Sequence, residues 1–322
     1  MKNKPLARID RDDGFVRKQL VQYCRLRRGD IWRDPEDRHI VACGDAADRR
    51  FLKRLFVEIP PPALAVFDPP YNLVMFEKQT VEGYIAWCRK WIKDCFDILD
   101  VNASLYIWLG ADQKDHFQPL PQFMLMMADS GFESRSFITM RNQRGYGTQK
   151  NWMAVRQELL YYTKGEPFFE VQYTDIPKIL RGYYKEVDGS LTENMERSRS
   201  PFIRAGNVWV DIQQVFYRME ENVNGCYAQK PLKAIERIIE ASSRENDTVT
   251  DFFSHSGTTL LACERTGRKC VTFDIDPVFA EITIRRLERY RTEGKTGWQN
   301  SHPFERELAE TPLANKVTAD IS

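Results

Sequence analysis

Residues 64–71 read LAVFDPPY and carry the strongest structural pattern in this chain. An apolar run ends there at a carboxylate, two prolines and an aromatic ring. Proline cannot continue a central ladder of a sheet, so the pattern predicts a buried strand that ends in a rigid turn. Open α/β folds bind ligands at the carboxyl ends of their strands. The candidate site residues are therefore Asp68, Pro69, Pro70 and Tyr71. On this segment alone, an ordinary strand with a packed Tyr71 is an open alternative.

Apolar runs elsewhere in the chain predict strands that alternate with helices. Strands are predicted at residues 39–45, 104–110, 134–141, 158–164, 248–253 and 269–273. Helices are predicted at residues 47–56, 84–99 and 117–130, from Pro231 at the first helical position, and from 277 to about 290. The apolar spacing within 84–99 is that of an amphipathic helix. Strands that alternate with helices favour a mostly parallel sheet that is covered on both faces.

The composition excludes several classes of protein. The 322 residues include 47 basic and 46 acidic side chains, so the net charge of +1 favours no class of partner. The seven cysteines form no Cys-x-x-Cys pair and the four histidines show no ligand spacing, so we predict reduced thiols and no metal site. No apolar run is long enough to span a membrane, and the first residues lack the apolar core of a signal peptide. We therefore expect a cytoplasmic protein that does not associate with membranes.

Shifts in charge and hydropathy divide the chain into four parts. They are a polar N-terminal extension (1–38), a core (39–133 and 205–292), core strands with an insertion (134–204) and a polar C-terminal tail (293–322). The extension carries a basic cluster at Arg25, Arg27 and Arg28, which suits either an arm that faces DNA or a solvated segment. The tail shows no core pattern, so we expect it to be mobile.

The insertion is locally basic and aromatic. Residues 134–204 hold twelve Lys and Arg against eight Asp and Glu, together with eleven aromatic rings. Basic groups that neutralise phosphates, interleaved with rings and amides, suit a nucleic-acid surface. The candidate DNA contacts are Arg141, Arg144 and Lys150. A solvated, irregular insertion would have the same composition and is an open alternative.

Residues 248–276 have the pattern of a nucleoside-binding unit. A strand passes through Asp251, the turn Ser-His-Ser-Gly-Thr-Thr leads into a helix, and the next strand ends at Asp274. Small residues let the backbone approach a ligand, and the start of a helix offers free N–H groups. Asp274 is placed to accept hydrogen bonds from ribose hydroxyls. Neither a GxGxxG motif nor a phosphate-binding loop is present, which favours a cofactor without phosphates, and S-adenosylmethionine fits that description.

These motifs and their order resemble the β group of the amino-methyltransferases that act on DNA bases, whose motifs are circularly permuted. The family's Asp-Pro-Pro-Tyr is matched by residues 68–71, and its acid followed by Phe-x-Gly-Ser-Gly-x-Thr is similar to residues 251–259. Further matches are Gly44-Asp45, Asn72, Asn207 to Trp209, Gln229 to Pro231 and Asp274. The catalytic motif precedes the cofactor motif, as in that group, and the resemblance covers roughly residues 39–292.

The resemblance implies an α/β fold. We expect the Rossmann-like sheet of S-adenosylmethionine-dependent methyltransferases, with a permuted motif order and an inserted target-recognition region. The implied cofactor is S-adenosylmethionine, and the implied cofactor-binding residues are Asp45, Lys230, Asp251, Phe253, Ser254, His255, Ser256, Gly257, Thr258, Thr259 and Asp274. This chain departs from the family pattern at His255, where the family has a glycine, and at residues 226–228, where Cys-Tyr-Ala replaces His-Pro-Thr.

The resemblance also implies a reaction and its partners. We expect methyl transfer to the N6 amino group of adenine in double-stranded DNA after base flipping, because Asp at the first tetrapeptide position is commoner in adenine enzymes and Ser in cytosine enzymes. Cytosine N4, RNA bases, and a weakly active DNA-binding module of the same fold are open alternatives. A homodimer and a cognate restriction endonuclease are compatible with the family, as is a prokaryotic or phage setting.

Overall fold

The computed structural model describes residues 14–70, 80–110, 118–146, 152–178, 184–193, 200–299 and 301–309. The strands are β1 (Ile31–Arg33), β2 (His39–Cys43), β3 (Leu64–Phe67), β4 (Ala103–Trp108), β5 (Glu133–Tyr146), β6 (Ala154–Lys164), β7 (Tyr173–Pro177), β8 (Tyr184–Val187), β9 (Ser190–Glu193), β10 (Phe202–Arg204), β11 (Val208–Trp209), β12 (Thr248–Asp251) and β13 (Lys269–Asp274). The helices are α1 (Gly14–Val21), α2 (Arg49–Phe56), α3 (Val81–Ile98), α4 (Pro119–Met127), α5 (Leu232–Ser242), α6 (Thr258–Thr266), α7 (Pro277–Glu293) and α8 (Glu305–Ala309).

A central sheet contains nine strands in the order β1-β2-β13-β12-β3-β4-β6-β5-β11. Its five middle strands, from β2 to β4, are mutually parallel, whereas β1 and β6 run antiparallel to their neighbours. The first core strand along the chain, β2, therefore lies beside the last one, β13. The predicted α/β fold with a mostly parallel sheet is confirmed, and the two strands of the cofactor unit lie between β2 and β3.

Helices cover both faces of the sheet, because the middle strands are apolar on both sides. On one face, α2, α3 and α4 pack against it, and the buried stripe of α3 includes Tyr84, Cys88 and Trp91. On the other face, α5, α6 and α7 contribute a second buried cluster that includes Ile235 and Ile238. Burial of one such side chain contributes roughly 1.5–3 kcal/mol. The periodicity of residues 84–99 therefore predicted the buried face of α3 correctly.

Four neighbouring strands end at carboxylates on one edge of the sheet. Asp45 follows β2, Asp274 ends β13, Asp251 ends β12 and Asp68 follows β3, in that spatial order. The backbone confirms the alignment, since Gly44 N–H donates to the carbonyl of Asp274 at 2.9 Å. These are the carboxyl ends of parallel strands, which is the edge where open α/β folds bind ligands.

The hairpin of β5 and β6 extends past this same edge. Trp108, the last residue of β4, pairs with Leu159, so the part of β6 from Ala154 to Glu158 continues beyond the end of β4. At about 3.3 Å per residue, five residues project roughly 16 Å. The paired segment of β5 runs alongside, with Arg141 opposite Arg156. We call this projecting part of β5 and β6, residues 139–146 and 154–158, the arm.

The described part of the N-terminal extension, residues 14–38, packs on the core of the protein. Its strand β1 pairs with β2, and Leu20 and Cys24 are buried. Arg25 binds the carboxylates of Glu281 and Glu288 on α7. Within the cluster, Arg25 therefore has partners more than 250 residues away, whereas Arg28 pairs with Asp45 and Arg27 donates to nearby backbone carbonyls. All three arginines are exposed, so a DNA contact of this cluster stays a prediction.

The C-terminal tail also differs from the prediction. Trp298, Phe304 and Leu308 are buried in a cluster with residues of α1 and α7. Because these three apolar residues are widely spaced, no periodic pattern marks them in the sequence. The expectation of a mobile tail is wrong for residues 294–299 and 301–309, whereas residues 310–322 lie outside the described residues.

Two smaller findings complete the architecture. Pro231 is the N-cap of α5 and not its first helical residue, with φ of −63° and ψ of 136°. Among the described residues, no helix is both long enough and apolar enough to cross a membrane.

Candidate active site

The Asp68 carboxylate lies where β3 ends, beside the side chain of Lys230. The two atoms Lys230 Nζ and Asp68 Oδ2 are 2.7 Å apart, and the side chains are 8% and 23% exposed. The prolines Pro69 and Pro70 follow directly, so the chain leaves the sheet at once. Tyr71 lies outside the described residues. The structure therefore places one carboxylate of the predicted catalytic motif in a largely buried ion pair.

The turn after β12 is held by hydrogen bonds to carboxylates. Asp251 Oδ1 accepts from the backbone N–H of Phe253 at 2.9 Å. Asp274 Oδ2 accepts from the N–H of His255 at 3.1 Å. Asp274 Oδ1 accepts from the N–H of Asp276 at 3.0 Å. Asp274, the acid predicted to bind ribose hydroxyls, thus fixes two backbone turns. One of them is residues 254–259, which we call the cofactor turn.

His255 adopts the backbone conformation that a glycine would take at this position. Its φ is +43°, and Gly257 two residues later has φ of +72°. A residue with a Cβ is strained in this left-handed region. The His255 ring packs at 5.0 Å against the ring of Phe279 on α7, which supports this conformation. The departure from the family's glycine is therefore accommodated in the fold.

The Asp251 carboxyl at this edge of the sheet is buried, and its pKa is raised. The pKa of Asp251 is raised to about 7, mainly by its burial and also by the neighbouring Asp68 and Asp274 carboxylates, although hydrogen bonds from Thr259 and Phe253 act in the opposite direction. A nearby cation favours the ionised form of such a carboxyl. Such a group is a functional-site candidate.

One cleft brings most of the predicted residues together. It is lined by the predicted residues Asp68, Lys230, Asp251, Phe253, Ser254, His255, Ser256, Thr258 and Thr259. Asp45, Gly257 and Asp274 lie at the same edge of the sheet but do not line the cleft. Asp45 Oδ1 accepts from Ala47 N–H at 2.8 Å and so fixes the turn after β2.

Two residues at this site were missed in the sequence. Trp108 ends β4 next to the Asp68 strand and lines the cleft. Its place at the end of an apolar strand could have indicated this position. Arg286 on α7 is fully buried and donates to the carbonyl of Ser256 and the hydroxyl of Thr258, both at 2.9 Å. Burial lowers the pKa of Arg286 to about 10. It supports the cofactor turn from behind, and nothing in its helical sequence shows this.

The donor set of the cleft fits S-adenosylmethionine. The Ser254 hydroxyl is buried and has no hydrogen-bond partner among the residues that the structure describes. Helix α6 begins at Thr258, after the N-cap Gly257, and the first N–H groups of a helix have no acceptor within it. Asp251 supplies a buried carboxyl for a cation. Within the described ranges, no cluster of three or more His, Cys, Asp or Glu side chains could hold a metal ion.

Two of the three predicted DNA contacts, Arg141 and Arg144, fall on the arm. Arg141 is exposed and lies opposite Arg156 on the neighbouring strand. Two like charges directly opposite each other destabilise a sheet unless an anion lies between them. Arg156, which also binds Glu158 at 2.8 Å, was missed because the sequence does not show the pairing register. The side chain of Arg144 and the whole of Lys150 lie outside the described residues.

Gly257 gives a prediction about the rigidity of the cofactor turn. A Cβ on Gly257 would lie 2.9 Å from Thr283 Cα on α7, and its φ of +72° is unfavourable for any other residue. We expect Gly257→Ala to lower the free energy of unfolding by about 2–4 kcal/mol, since strain and overlap add. Urea denaturation followed by circular dichroism measures the change.

Gly294 provides a matched control for this substitution. It has a similar φ of +67°, but a Cβ there would meet nothing within 4 Å. Gly294→Ala should therefore show only the backbone strain, about 1 kcal/mol. Equal losses of stability in the two variants would contradict the close packing of the cofactor turn on α7.

Comparisons with known proteins find relatives that match most of this chain. A family model described as DNA methylase, of the N6/N4 methyltransferase type, matches residues 63–285. The type II methyltransferase M.HpaI of Haemophilus parainfluenzae is 27% identical over 230 residues, which cover 70% of this chain and 68% of that protein. The region that the family model matches contains the Asp68 motif, the cofactor turn and the intervening insertion.

Solved structures share the fold. The Thermus thermophilus protein TTHA0409, in a complex with S-adenosyl-L-methionine, has a TM-score of 0.52 at 21% identity, and the match covers 81% of this chain and 98% of that chain. The cytosine-N4-specific PvuII DNA methyltransferase has a TM-score of 0.55 at 16% identity and covers 82% of this chain and 96% of its own. At these identities the likeness concerns the fold.

Proposed function

Because this chain belongs to the DNA methylase family of the N6/N4 type, we propose that it transfers a methyl group from S-adenosylmethionine to the N6 amino group of adenine in double-stranded DNA. The observation that carries the proposal is the shared cleft. It combines the Asp68 carboxylate, the buried Asp251 and the start of α6. A hydrogen-bond acceptor for an amine thus lies beside the donor set that fits the cofactor.

Asp68 suits the activation of an exocyclic amino group. The lone pair of such a nitrogen is delocalised into the base, so the nitrogen is a poor nucleophile. If Asp68 and the carbonyl of Pro69 accept the two amino hydrogens, the nitrogen can become pyramidal and attack. Both acceptors then also stabilise the positive charge that develops on it. The two prolines fix this geometry, and orientation decides the rate of an in-line transfer.

The cofactor would be held by groups of the turn and the neighbouring strand. Asp251 would face its cationic part, Ser254 would donate or accept through its unpartnered hydroxyl, and the N–H groups at the start of α6 would bind acceptor atoms. When bound, S-adenosylmethionine supplies an electrophilic methyl group on a sulfonium ion. Trp108 and Phe253 give the cleft apolar walls that exclude water.

Adenine is the proposed base because the first residue of the tetrapeptide is Asp68 and not serine. The cytosine-N4-specific PvuII enzyme shares the fold, so the fold does not separate the two bases. The target must leave the duplex to reach the cleft, at a cost of a few kcal/mol. In the proposal, the arm contacts the duplex while the base enters beside Asp68, and residues 134–204 recognise the target sequence.

The location of the arm supports a role in DNA binding. It projects past the same edge of the sheet that carries the cleft, only two strands from β3. Trp152 and Met153, next to the arm, are 94% and 59% exposed. Exposed apolar groups beside Arg141 and Arg156, which lie opposite each other on the two strands, suit a surface that contacts both bases and phosphates.

Salt dependence gives a prediction for the arm. We expect the double variant Arg141→Ala, Arg156→Ala to bind DNA more weakly, with a plot of log affinity against log salt concentration that is shallower by about two, because each lost phosphate contact removes about 0.9. Fluorescence anisotropy with a labelled duplex at several salt concentrations measures the slope.

Arg33→Ala is the control for the arm variant. Arg33 is also exposed, but it lies opposite Ile40 near the amino end of β2, at the far edge of the sheet. Its removal should leave the slope unchanged. If the arm variant keeps the wild-type slope, the DNA surface lies elsewhere.

The proposed substrate class is tested by following tritium from labelled S-adenosylmethionine into nucleic acid. We expect incorporation into unmethylated genomic DNA and none into DNA-free RNA. Incorporation only into RNA would contradict DNA as the substrate and indicate RNA in its place. Cofactor binding without incorporation into any nucleic acid, from folded protein, would contradict the enzymatic proposal and favour a DNA-binding module.

A further inference from the structure

The Gln-Lys-Pro segment before α5 is built to aim one side chain. Gln229 is buried, its Oε1 accepts from Val223 N–H at 2.9 Å, and its Nε2 donates to the carbonyl of Glu221 at 2.7 Å. Pro231 ends the segment as the N-cap of α5. Lys230 is therefore held between an anchored residue and the start of a helix, which fixes the direction of its side chain.

Lys230 lines the same cleft as the cofactor turn, but its hydrogen bonds within the described residues run to Asp68 and Ala228. Its Nζ donates to Asp68 Oδ2 at 2.7 Å and to the carbonyl of Ala228 at 3.4 Å. It also lies 5.4 Å from the centre of the Trp108 ring. A largely buried ammonium group needs a carboxylate and further acceptors, since removal of either partner leaves an uncompensated charge. Here Asp68, a carbonyl and an aromatic face provide them.

We propose that Lys230 is a positioning residue that orients the Asp68 carboxylate toward the target amine, and that it is not a ligand of the cofactor. The proposal rests on the proposed function, in which Asp68 accepts the amino hydrogens. With Oδ2 held by Lys230, rotation of the carboxylate about its last bond is restricted. The carboxylate then meets the entering amine in one fixed orientation.

This role differs in its consequences from the cofactor-binding role that the sequence suggested. A group that only orients Asp68 contributes to the transfer step, whereas a ligand of the cofactor contributes to its binding. A misplacement of about 1 Å at a reacting group can cost about 100-fold in rate. We therefore expect Lys230→Met to reduce kcat about 100-fold at saturating cofactor.

The binding of the cofactor separates the two roles. Isothermal titration calorimetry should give a Kd for S-adenosylmethionine in Lys230→Met within about threefold of the wild-type value. Lys230→Arg keeps a cation that can bind Asp68, so it should recover at least a tenth of the wild-type kcat. Lys269→Met, which removes an exposed lysine at the opposite end of β13, should leave both quantities unchanged.

Two results would overturn the proposal. One is a cofactor Kd that rises tenfold or more in Lys230→Met while kcat at saturation stays near the wild-type value. The other is additive losses of thermal stability in Asp68→Asn, Lys230→Met and the double variant, since paired residues give non-additive effects. The comparison of thermal stabilities needs no methyl transfer, so it tests the pairing of Lys230 with Asp68 even if the wild-type protein is inactive. An inactive wild-type protein would refute the proposed function and not the pairing.

Discussion

Replacement of Asp68 by alanine is expected to reduce methyl transfer to DNA by about 10²- to 10³-fold. The substitution removes the acceptor that makes the amino nitrogen nucleophilic and stabilises its developing positive charge, and losses of this size are typical for one preorganised electrostatic group. The binding of cofactor and of DNA should change little, because Asp251, the cofactor turn and the arm remain. Single-turnover transfer of labelled methyl groups measures the step.

The partner of Asp68 makes a second variant necessary. Asp68→Ala leaves the Lys230 ammonium largely buried without its carboxylate, which can destabilise the fold. Asp68→Asn keeps the size of the side chain and one acceptor oxygen, and we expect it to lose activity less severely. Thermal melting tests whether both variants are folded. Activity of a folded Asp68→Ala variant within tenfold of wild type would contradict the assigned role.

The second large effect is expected at Asp251. Asp251→Asn should weaken the binding of S-adenosylmethionine about 10- to 100-fold, because a charge-assisted contact to the cationic part of the cofactor contributes about 1.5–3 kcal/mol. The amide can still accept from Phe253 N–H, so the turn after β12 keeps its hydrogen bond. Calorimetric titration at pH 8 measures the loss.

The raised pKa of Asp251 predicts the pH dependence of cofactor binding. With a pKa of about 7 in the free protein, the carboxyl must lose its proton to face a cation. Wild-type affinity should therefore increase about tenfold from pH 6 to pH 8. In Asp251→Asn the increase should disappear, apart from any change that comes from the amino group of the cofactor itself.

The free energy of unfolding of the free protein should change with pH in the opposite direction, and decrease as pH rises. Because the pKa of Asp251 is above its unfolded value, the folded state binds more protons between about pH 4 and pH 7, and stability falls as pH rises through this window. Asp251→Asn removes this loss, so the variant should become more stable than wild type toward pH 8.

Asp34 provides a control, because its pKa is shifted in the opposite direction. Although burial opposes it, hydrogen bonds from Arg291 hold the pKa of Asp34 below its usual value. Asp34→Asn should therefore destabilise the protein at neutral pH and less so in acid. A constant difference in melting temperature between wild type and Asp251→Asn across pH 4–8 would contradict the raised pKa of the buried Asp251 carboxyl.

The sequence was sufficient for the parts of the fold that depend on local patterns. Continuous apolar runs identified β3 and β4, and helical spacing identified α3 and its buried face. The carboxylates that follow these runs could be placed at one edge, because parallel strands share their carboxyl ends. Most residues predicted for the site therefore line one cleft or lie next to it.

Contacts between distant parts of the chain were beyond this reasoning. The pairing of Lys230 with Asp68, 162 positions away, depends on how α5 packs on the sheet. The opposition of Arg141 and Arg156 depends on the register of a long hairpin. Arg25 is exposed, as its place in a polar segment indicates, but its pairing with Glu281 on α7 could not be predicted from the sequence. A charged side chain shows its type in the sequence but not its partner.

The most direct test of the central claim is the identity of the methylated nucleoside. Purified protein is incubated with unmethylated genomic DNA and S-adenosylmethionine, the DNA is digested to nucleosides, and the products are identified by mass spectrometry, with Asp68→Ala as the control. The proposed function predicts N6-methyladenine in the wild-type reaction and none in the control. N4-methylcytosine would contradict the assignment of adenine while keeping the role of Asp68, and the absence of any methylated nucleoside would contradict the claim that this protein is a DNA methyltransferase.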